Sequence, residues 1–172
     1  MSKIEVNEIA ARSGSTVSLA SGHTPSGFVP AGGILQTLHS ESISEVSSTS
    51  TSYADTGFNL SITPSSTSSK ILVYFEFGSY FFGSNASNEV GVAYKLVRDS
   101  TDIKAYEDNG AYTMKVERSA SNYWETFRTS LTHLDSPSTT SAVNYKLQFA
   151  RKIGGTATIK GVTKVILQEV AQ

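Results

Sequence analysis

The residues of this chain best suited to metal binding are its three histidines. His23 lies in a segment rich in glycine, serine and proline, whereas His39 and His133 stand alone within predicted strands. A metal site usually needs three or four convergent ligands, and no second histidine or carboxylate stands at ligand spacing. We therefore expect no metal site and no cofactor. The chain has no cysteine, which excludes disulfides, thiolate ligands and cysteine nucleophiles.

Serine and carboxylate side chains are the second set of residues that could be catalytic. The nucleophile-elbow pattern G-x-S-x-G is absent. Glu76, Asp99 and Asp102 are of the residue type that glycosidases use in pairs, but an aspartate beside a turn more often serves the turn geometry. We expect no catalytic residue, so alanine at Glu76, Asp99 or His133 should change stability at most. A small carbohydrate-active enzyme is the least favoured interpretation.

The charge composition argues against a nucleic-acid or membrane partner. Lys and Arg number 14 against 15 Asp and Glu, so no basic surface is available to neutralise phosphates. Phosphate-binding glycine motifs are absent. No run approaches the ~18 apolar residues of a membrane-spanning helix. We expect no nucleic-acid binding and no membrane insertion, and the N-terminus carries no export-signal pattern.

Aromatic residues mark one candidate ligand-binding region. Tyr106, Tyr112 and Trp124 lie in or beside the segment 110–122, which we expect to be a loop. Aromatic side chains on loops can stack on sugar rings or anchor a protein interface. They can equally close one end of a β-sandwich, and the sequence favours neither alternative.

Alternation of apolar and polar residues predicts an all-β fold from residue 33 onward. Segments of this kind, bounded by Gly, Pro, Asp and Ser clusters, are typical of strands, and no segment sustains the apolar stripe of a helix. Turns are predicted at Asp99-Ser100 and at Gly154-Gly155. We predict an antiparallel β-sandwich, jelly-roll-like, of about eight strands. The expected strands are Ile34–Val46, Tyr53–Ile62, Ile71–Phe82, Val90–Val97, Tyr123–Leu134, Val143–Ala150, Thr156–Ile159 and Val162–Val170.

Two of the predicted strands are apolar on both faces. In Ile71–Phe82 one parity, which includes Phe75 and Phe77, is assigned to the core. Aromatic residues at the remaining positions would form an aggregation-prone patch if they were exposed to solvent. These aromatic residues include Tyr74, Tyr80, Phe81 and Phe82. A loop of the same chain or a second subunit could cover this face, and we favour the second subunit. The predicted subunit interface consists of Leu72, Tyr74, Ile166 and Val170.

Residues 1–32 differ from the rest and are predicted to form an extended N-terminal arm before a sandwich domain of residues 33–172. Glycine and proline clusters punctuate this segment. Its short apolar pieces cannot form a core alone, so they must pack on the same domain, on neighbouring copies or on a larger partner. The apolar residues concerned are Ile4, Val6, Ile9, Val17 and Leu19.

Several ordered segments give the chain a family resemblance. A leader at Lys3–Ile9 and Arg12–Val17 is similar to one found in phage fibre and appendage proteins. The remainder resembles a recurrent domain of tailed-phage structural proteins, especially those of marine and cyanobacterial phages. The segments that carry this resemblance are Gly33–Gln36, Ser50–Gly57, Leu60–Val73, Leu96–Thr101, Leu134–Ser141 and Ile166–Val170.

The resemblance implies a virion structural protein. The favoured hypothesis is a tail fibre or appendage whose arm, through the five apolar residues named above, attaches it to other phage structural proteins of the tail or capsid. Its sandwich would project and contact a host-surface glycan or protein. The alternative is a capsid decoration protein with the same arm. Assembly in the host cytoplasm and release by lysis would place it in the virion, and the trimeric state of phage fibres implies a homotrimer.

Overall fold

The computed structural model describes residues 29–84, 89–106, 113–117 and 122–172. Within these ranges the chain forms nine β-strands and no helix. Ile4, Val6, Ile9, Val17 and Leu19 lie outside the described residues, as do His23 and Tyr112. The strands are β1 (Ile34–Ser48), β2 (Ala54–Ile62), β3 (Lys70–Ser84), β4 (Glu89–Arg98), β5 (Thr101–Tyr106), β6 (Met114–Glu117), β7 (Asn122–Asp135), β8 (Val143–Ile153) and β9 (Thr156–Val170).

The strands form two antiparallel sheets that pack face to face. The first sheet has the order β1-β9-β3-β7, and the second has the order β2-β8-β4-β5, with β6 also paired to β4. When β5 and β6 are counted as one position beside β4, this is the eight-position order of a jelly roll. The all-β sandwich predicted from the sequence is confirmed.

The core lies between the inner faces of the two sheets and follows the alternation of each strand. In β3 the inner side chains, including Phe75 and Phe77, are fully buried, as the sequence pattern predicted. The Phe77 and Tyr94 rings meet edge to face, with 4.9 Å between their centroids, and so join β3 to β4. The other sheet contributes the buried side chains of Val92, Leu96, Tyr145, Leu147 and Phe149.

Two polar networks tie the sheets together inside this core. The Tyr94 hydroxyl donates to Ser79 Oγ at 2.8 Å, and Ser79 Oγ lies 2.7 Å from Thr129 Oγ1. At one end of the sandwich, Asp135 of β7 accepts hydrogen bonds from Arg98 and from the Tyr145 hydroxyl, both of the second sheet. Because buried polar groups are costly when unpaired, these partners hold the sheets in one register.

Glu169 is a fully buried carboxylate at the same end of the sandwich. Its side chain accepts hydrogen bonds from the backbone and hydroxyl of Ser65, both at 2.7 Å, and from Gln36 Nε2 at 2.6 Å. Burial raises the pKa of Glu169, but the hydrogen bonds from Ser65, Gln36 and Ser69 outweigh burial and lower that pKa overall. The carboxylate therefore links β1, β9 and the β2–β3 loop.

At Gly78, β3 lies close against the backbone of β9. A Cβ at this position would lie 2.3 Å from the carbonyl oxygen of Lys160. The pairing of the two strands shifts between Glu76 and Gly78, where β9 bulges around Gly161 at a φ of +84°. Since Gly78 carries no side chain, Arg128 of β7 reaches across β3 and donates to the carbonyl of Val162 at 3.1 Å.

Most predicted strands are confirmed, with three differences. The predicted segments Thr156–Ile159 and Val162–Val170 form one strand, β9, because Gly161 lets the strand bulge rather than end. Strands β5 and β6 were missed, since neither shows a sustained alternation. Phe81 was counted with the exposed aromatics but is fully buried, on the same parity as Phe75 and Phe77. The turns at Asp99-Ser100 and Gly154-Gly155 are confirmed.

The first described residues are hydrogen-bonded to the end of β9. Gly32 donates its backbone N–H to the carbonyl of Ala171 at 2.8 Å, and Ala171 donates back to Gly33 at 2.9 Å. Pro30 accepts a hydrogen bond from Gly33, which closes a turn before β1. Gly32 and Gly33 are thus paired with the C-terminal end of the sandwich. The boundary between an arm and the sandwich stays a prediction.

Replacing Gly78 with alanine should destabilise the fold by about 1–3 kcal/mol, because the new methyl group would meet the backbone of β9. Gly91→Ala is the matched control, since its Cβ would meet only the side chain of Ile153, at 3.3 Å or more. Urea unfolding measures both. Equal losses in the two variants would contradict the assigned close approach.

Glu169→Gln should lower the free energy of unfolding by about 1–3 kcal/mol at neutral pH, because hydrogen bonds to a charged acceptor are lost. The folded pKa of Glu169 lies below its unfolded value. Its stabilisation is therefore fully present above pH ~4.3 and is lost as the pH falls through the folded pKa. Urea unfolding between pH 7 and pH 3 should show a weaker pH dependence in the variant. An identical dependence would contradict this role.

Candidate assembly surface

The outer face of the first sheet carries the residues that the sequence assigned to a subunit interface. Leu72 of β3 pairs in register with Leu134 of β7 and Gln168 of β9. Two residues further along β3, Tyr74 pairs with Thr132 and Ile166. Side chains of such neighbouring pairs lie on one face of the sheet.

These side chains form a shallow groove of about 460 Å³, called the outer groove below. Its apolar floor is made by Leu72, Tyr74 and Ile166, which are half-buried. Leu134, beside Leu72, is 47% exposed. The lining residues are Leu72, Tyr74, Glu76, Thr132, Lys164, Ile166 and Gln168.

A row of ion pairs borders the outer groove. Arg128 Nη2 lies 2.6 Å from Glu76 Oε1, and the Tyr74 hydroxyl donates to Glu76 Oε2 at 3.0 Å. Arg128 and then Tyr74 lower the pKa of Glu76, and the hydrogen bond to Glu76 raises the pKa of Tyr74. Lys164 lies 3.5 Å from Glu41. Because each charge has a partner within the sheet, covering this row would leave no unpaired ion.

The outer face of the second sheet is polar by contrast. Asp55 accepts hydrogen bonds from Gln148 and from Lys146, and Asn144 donates to Asn59 and Ser61. The hydrogen bond from Gln148 lowers the pKa of Asp55. Burial raises this pKa, but by less. Among the described residues, the outer groove of the first sheet is therefore more apolar than this polar part of the second sheet.

Three of the four predicted interface residues lie in the outer groove, namely Leu72, Tyr74 and Ile166. Val170 continues the same side of β9 toward its end, where it pairs with Ile34 and Lys70. The four residues therefore share one face. That copies of the chain meet on this face stays a prediction.

The predicted ligand-contact residues do not converge in the described chain. The Tyr106 hydroxyl donates to the carbonyl of Thr132 at 2.7 Å, and burial raises the pKa of Tyr106 to about 12. Trp124 stands eight positions from Thr132 along β7, or roughly 26 Å at the rise of a strand. It is 61% exposed and rests on Phe82. Tyr106 thus closes the sandwich, and Trp124 is a separate exposed aromatic.

The polar residues considered for catalysis make structural contacts. Glu76 binds Arg128, the Asp99 carboxylate accepts the backbone N–H of Asn144 at 2.9 Å, and Asp102 pairs with Lys95 at 2.8 Å. Within the four described ranges, no three His, Asp or Glu side chains cluster in a way that could hold a metal ion. The same part of the chain contains no helix that could cross a membrane.

Two further residues of this outer face were not predicted from the sequence. Leu134 was taken as the end of a strand rather than as part of an outer face, and Ile43 of β1 is 80% exposed on the same side of the sheet. Only the pairing of β7 with β3 brings Leu134 beside Leu72. No signal in the sequence gives this register, because the two strands are far apart in the chain.

Comparison of the chain with protein-family models gives no match, and comparison with curated proteins gives no significant match. The resemblance to tailed-phage structural proteins therefore stays a prediction.

Tyr74→Asp should dissociate the assembled protein while leaving the β circular-dichroism signal, because the charge lies on the outer face. Phe75→Asp is the matched control, since its side chain is fully buried and a charge there should unfold the chain. Light scattering after size-exclusion chromatography gives the mass, and circular dichroism gives the fold. An unchanged mass for Tyr74→Asp would place the interface elsewhere.

Proposed function

We propose that this chain is a virion structural protein of a tailed phage, a tail fibre or appendage that assembles as a homotrimer. In this proposal residues 1–32 attach it to other phage structural proteins, and the sandwich projects from the particle. The phage assignment rests on the sequence resemblance. The structural support is the outer groove, which marks a surface suited to assembly.

The size of the outer face supports a role as a specific interface. Four strands about 4.8 Å apart, each ~33 Å long between the levels of Leu72 and Phe82, give roughly 600 Å² of face. A standard interface buries about 800 Å² per partner, so an interface of that size would cover the whole face and extend past its edges. Tyr74, Tyr80, Trp124 and Arg128 on this face are of the types enriched at interfaces.

Burial of this face is energetically favoured over its exposure to water. Each Å² of apolar surface removed from water contributes about 25 cal/mol, so a few hundred Å² yields several kcal/mol before association costs. Large exposed apolar patches on soluble proteins are associated with interaction sites. The ion pairs of Glu76 with Arg128 and of Lys164 with Glu41 form the polar part of such an interface.

The experiment that tests the proposal is peptide mapping of purified phage particles separated into head and tail fractions. Peptides of this chain in the tail fraction are the expected result. Peptides in the head fraction would favour the capsid decoration alternative. Absence from intact particles would overturn a virion role.

Removing residues 2–28 should leave a folded sandwich that no longer enters particles, because the described core between the two sheets is built from residues 38–167. The expected incorporation is below about one tenth of the full-length level. Circular dichroism checks the fold, and quantitative mass spectrometry of purified particles measures incorporation. Unfolding of the truncated chain, or incorporation at full occupancy, would contradict attachment by the arm.

A further inference from the structure

β1 is a long edge strand with a strand partner on one side only. It lies at the end of the first sheet, and within the described ranges it pairs with β9 and with no second strand. Its 15 residues include no Lys and no Pro, which commonly protect sheet edges from further pairing. An edge of this kind can accept another strand through its unpaired N–H and C=O groups.

The other edges of the two sheets are short, irregular or partly covered. β5 and β6 have six and four residues, and the pairing of β2 with β8 shifts between Asp55 and Asn59. The edge of β7 is partly covered by Tyr106, whose hydroxyl donates to the carbonyl of Thr132. The pairing of β1 with β9, by contrast, is regular from Gln36 to Ser48. β1 therefore presents the edge best suited to accept a strand.

The middle of β1 is open on both of its faces. Residues 41–45 are all exposed. Two of them, Ser42 and Ser44, stand at the inward positions of the strand, in alternation with Leu38 and Val46, which pack against the core. The inner side of β1 is therefore left uncovered by the second sheet at these positions.

A β-turn brings the preceding chain back toward β1. The Gly33 N–H donates to the carbonyl of Pro30 at 2.9 Å. Gly32, between them, has a φ of +84°, which the third position of a type II turn requires. Val29 lies against Gly33 as a result. Because a β-turn reverses the chain, the described chain begins at a point that directs the preceding residues back along β1.

The chain before Val29 is long enough to reach the open part of this edge. Leu19 stands ten residues before Val29, and Ile43 stands ten residues after Gly33. An extended chain spans at most ~36 Å over ten residues, so Leu19 can reach the level of Ile43. In residues 16–19 two apolar side chains alternate with two hydroxyl side chains, which is the pattern of a strand with one buried face.

We propose that residues 16–19 add to the free edge of β1 as a further strand of the first sheet, antiparallel to β1 and within the same chain. Backbone hydrogen bonds to residues 41–45 hold this strand, and Val17 and Leu19 cover the open inner side of β1. Residues 3–9 are then left for attachment to a partner. Such a strand completes the sheet whether or not the protein belongs to a phage.

Hydrogen exchange of the backbone amides, followed by NMR in the full chain, tests the added strand. Alternate residues of an antiparallel strand direct their N–H groups to opposite sides, so some amides of residues 41–45 point away from β9. These amides should exchange slowly in the unchanged protein and at least about tenfold faster in Leu19→Asp. Ile9→Asp is the matched control and should leave their exchange unchanged.

Three outcomes of the exchange experiment overturn the proposal. Fast exchange of these amides in the unchanged protein would show that the edge is open. Slow exchange that Leu19→Asp does not alter would show that another occupant, such as a second copy, covers the edge. Equal acceleration in Leu19→Asp and Ile9→Asp would show that the effect is not specific to residues 16–19. The amides of β3 are the internal reference, since they should stay protected in all three proteins.

Cross-linking identifies the chain that supplies the strand. The protein has no cysteine, so the double variant Ser18→Cys/Ser42→Cys carries its only two thiols. A short bismaleimide should join them within one chain, and peptide mapping of the single-chain gel band locates the link. Ser18→Cys/Thr101→Cys is the control and should give no such link, because Thr101 lies in β5, at the far edge of the second sheet. Any other pattern, including links between two chains only, overturns the proposal.

Discussion

The alternation of side chains along β3 is the constraint on which the rest of the structure depends. β3 lies between β9 and β7, so its inner residues, among them Phe75 and Phe77, fill the middle of the core. A pleated strand must then send the intervening residues, Leu72 and Tyr74, to the opposite face. The apolar outer face is therefore a consequence of placing a strand that is apolar on both parities at the centre of a sheet.

Hydrogen bonds and ion pairs stabilise one end of the sandwich and the border of the outer groove. The buried carboxylates of Asp135 and Glu169 pair in register with Ile71 from either side, so they close the same end of the sandwich. Each carboxylate is satisfied by donors from other strands or loops. The lowered pKa of Glu169 makes its contribution at that end sensitive to acid. Near the middle of the sheet, Gly78 lets Arg128 cross β3 to the carbonyl of Val162 and to Glu76, and this places a charged border beside the outer groove.

The sequence predicted the fold class, most strands and the inner face of β3, because period-2 alternation records burial directly. It also predicted that Leu72, Tyr74 and Ile166 form one surface, since each stands at a strand position that alternates with core residues. β5 and β6 were missed because short edge strands need little apolar alternation. Register between distant strands, such as β3 with β7, depends on tertiary packing, so neither the contribution of Leu134 nor the separation of Tyr106 from Trp124 could be predicted.

Sedimentation equilibrium of the full-length chain at micromolar concentration tests the central claim most directly, because a face of this size that packs against other copies must hold them together in solution. The account predicts a single species of three times the 18.4 kDa chain mass. A stable monomer would contradict it, since the outer groove of the first sheet would then be compatible with solvent or covered within one chain.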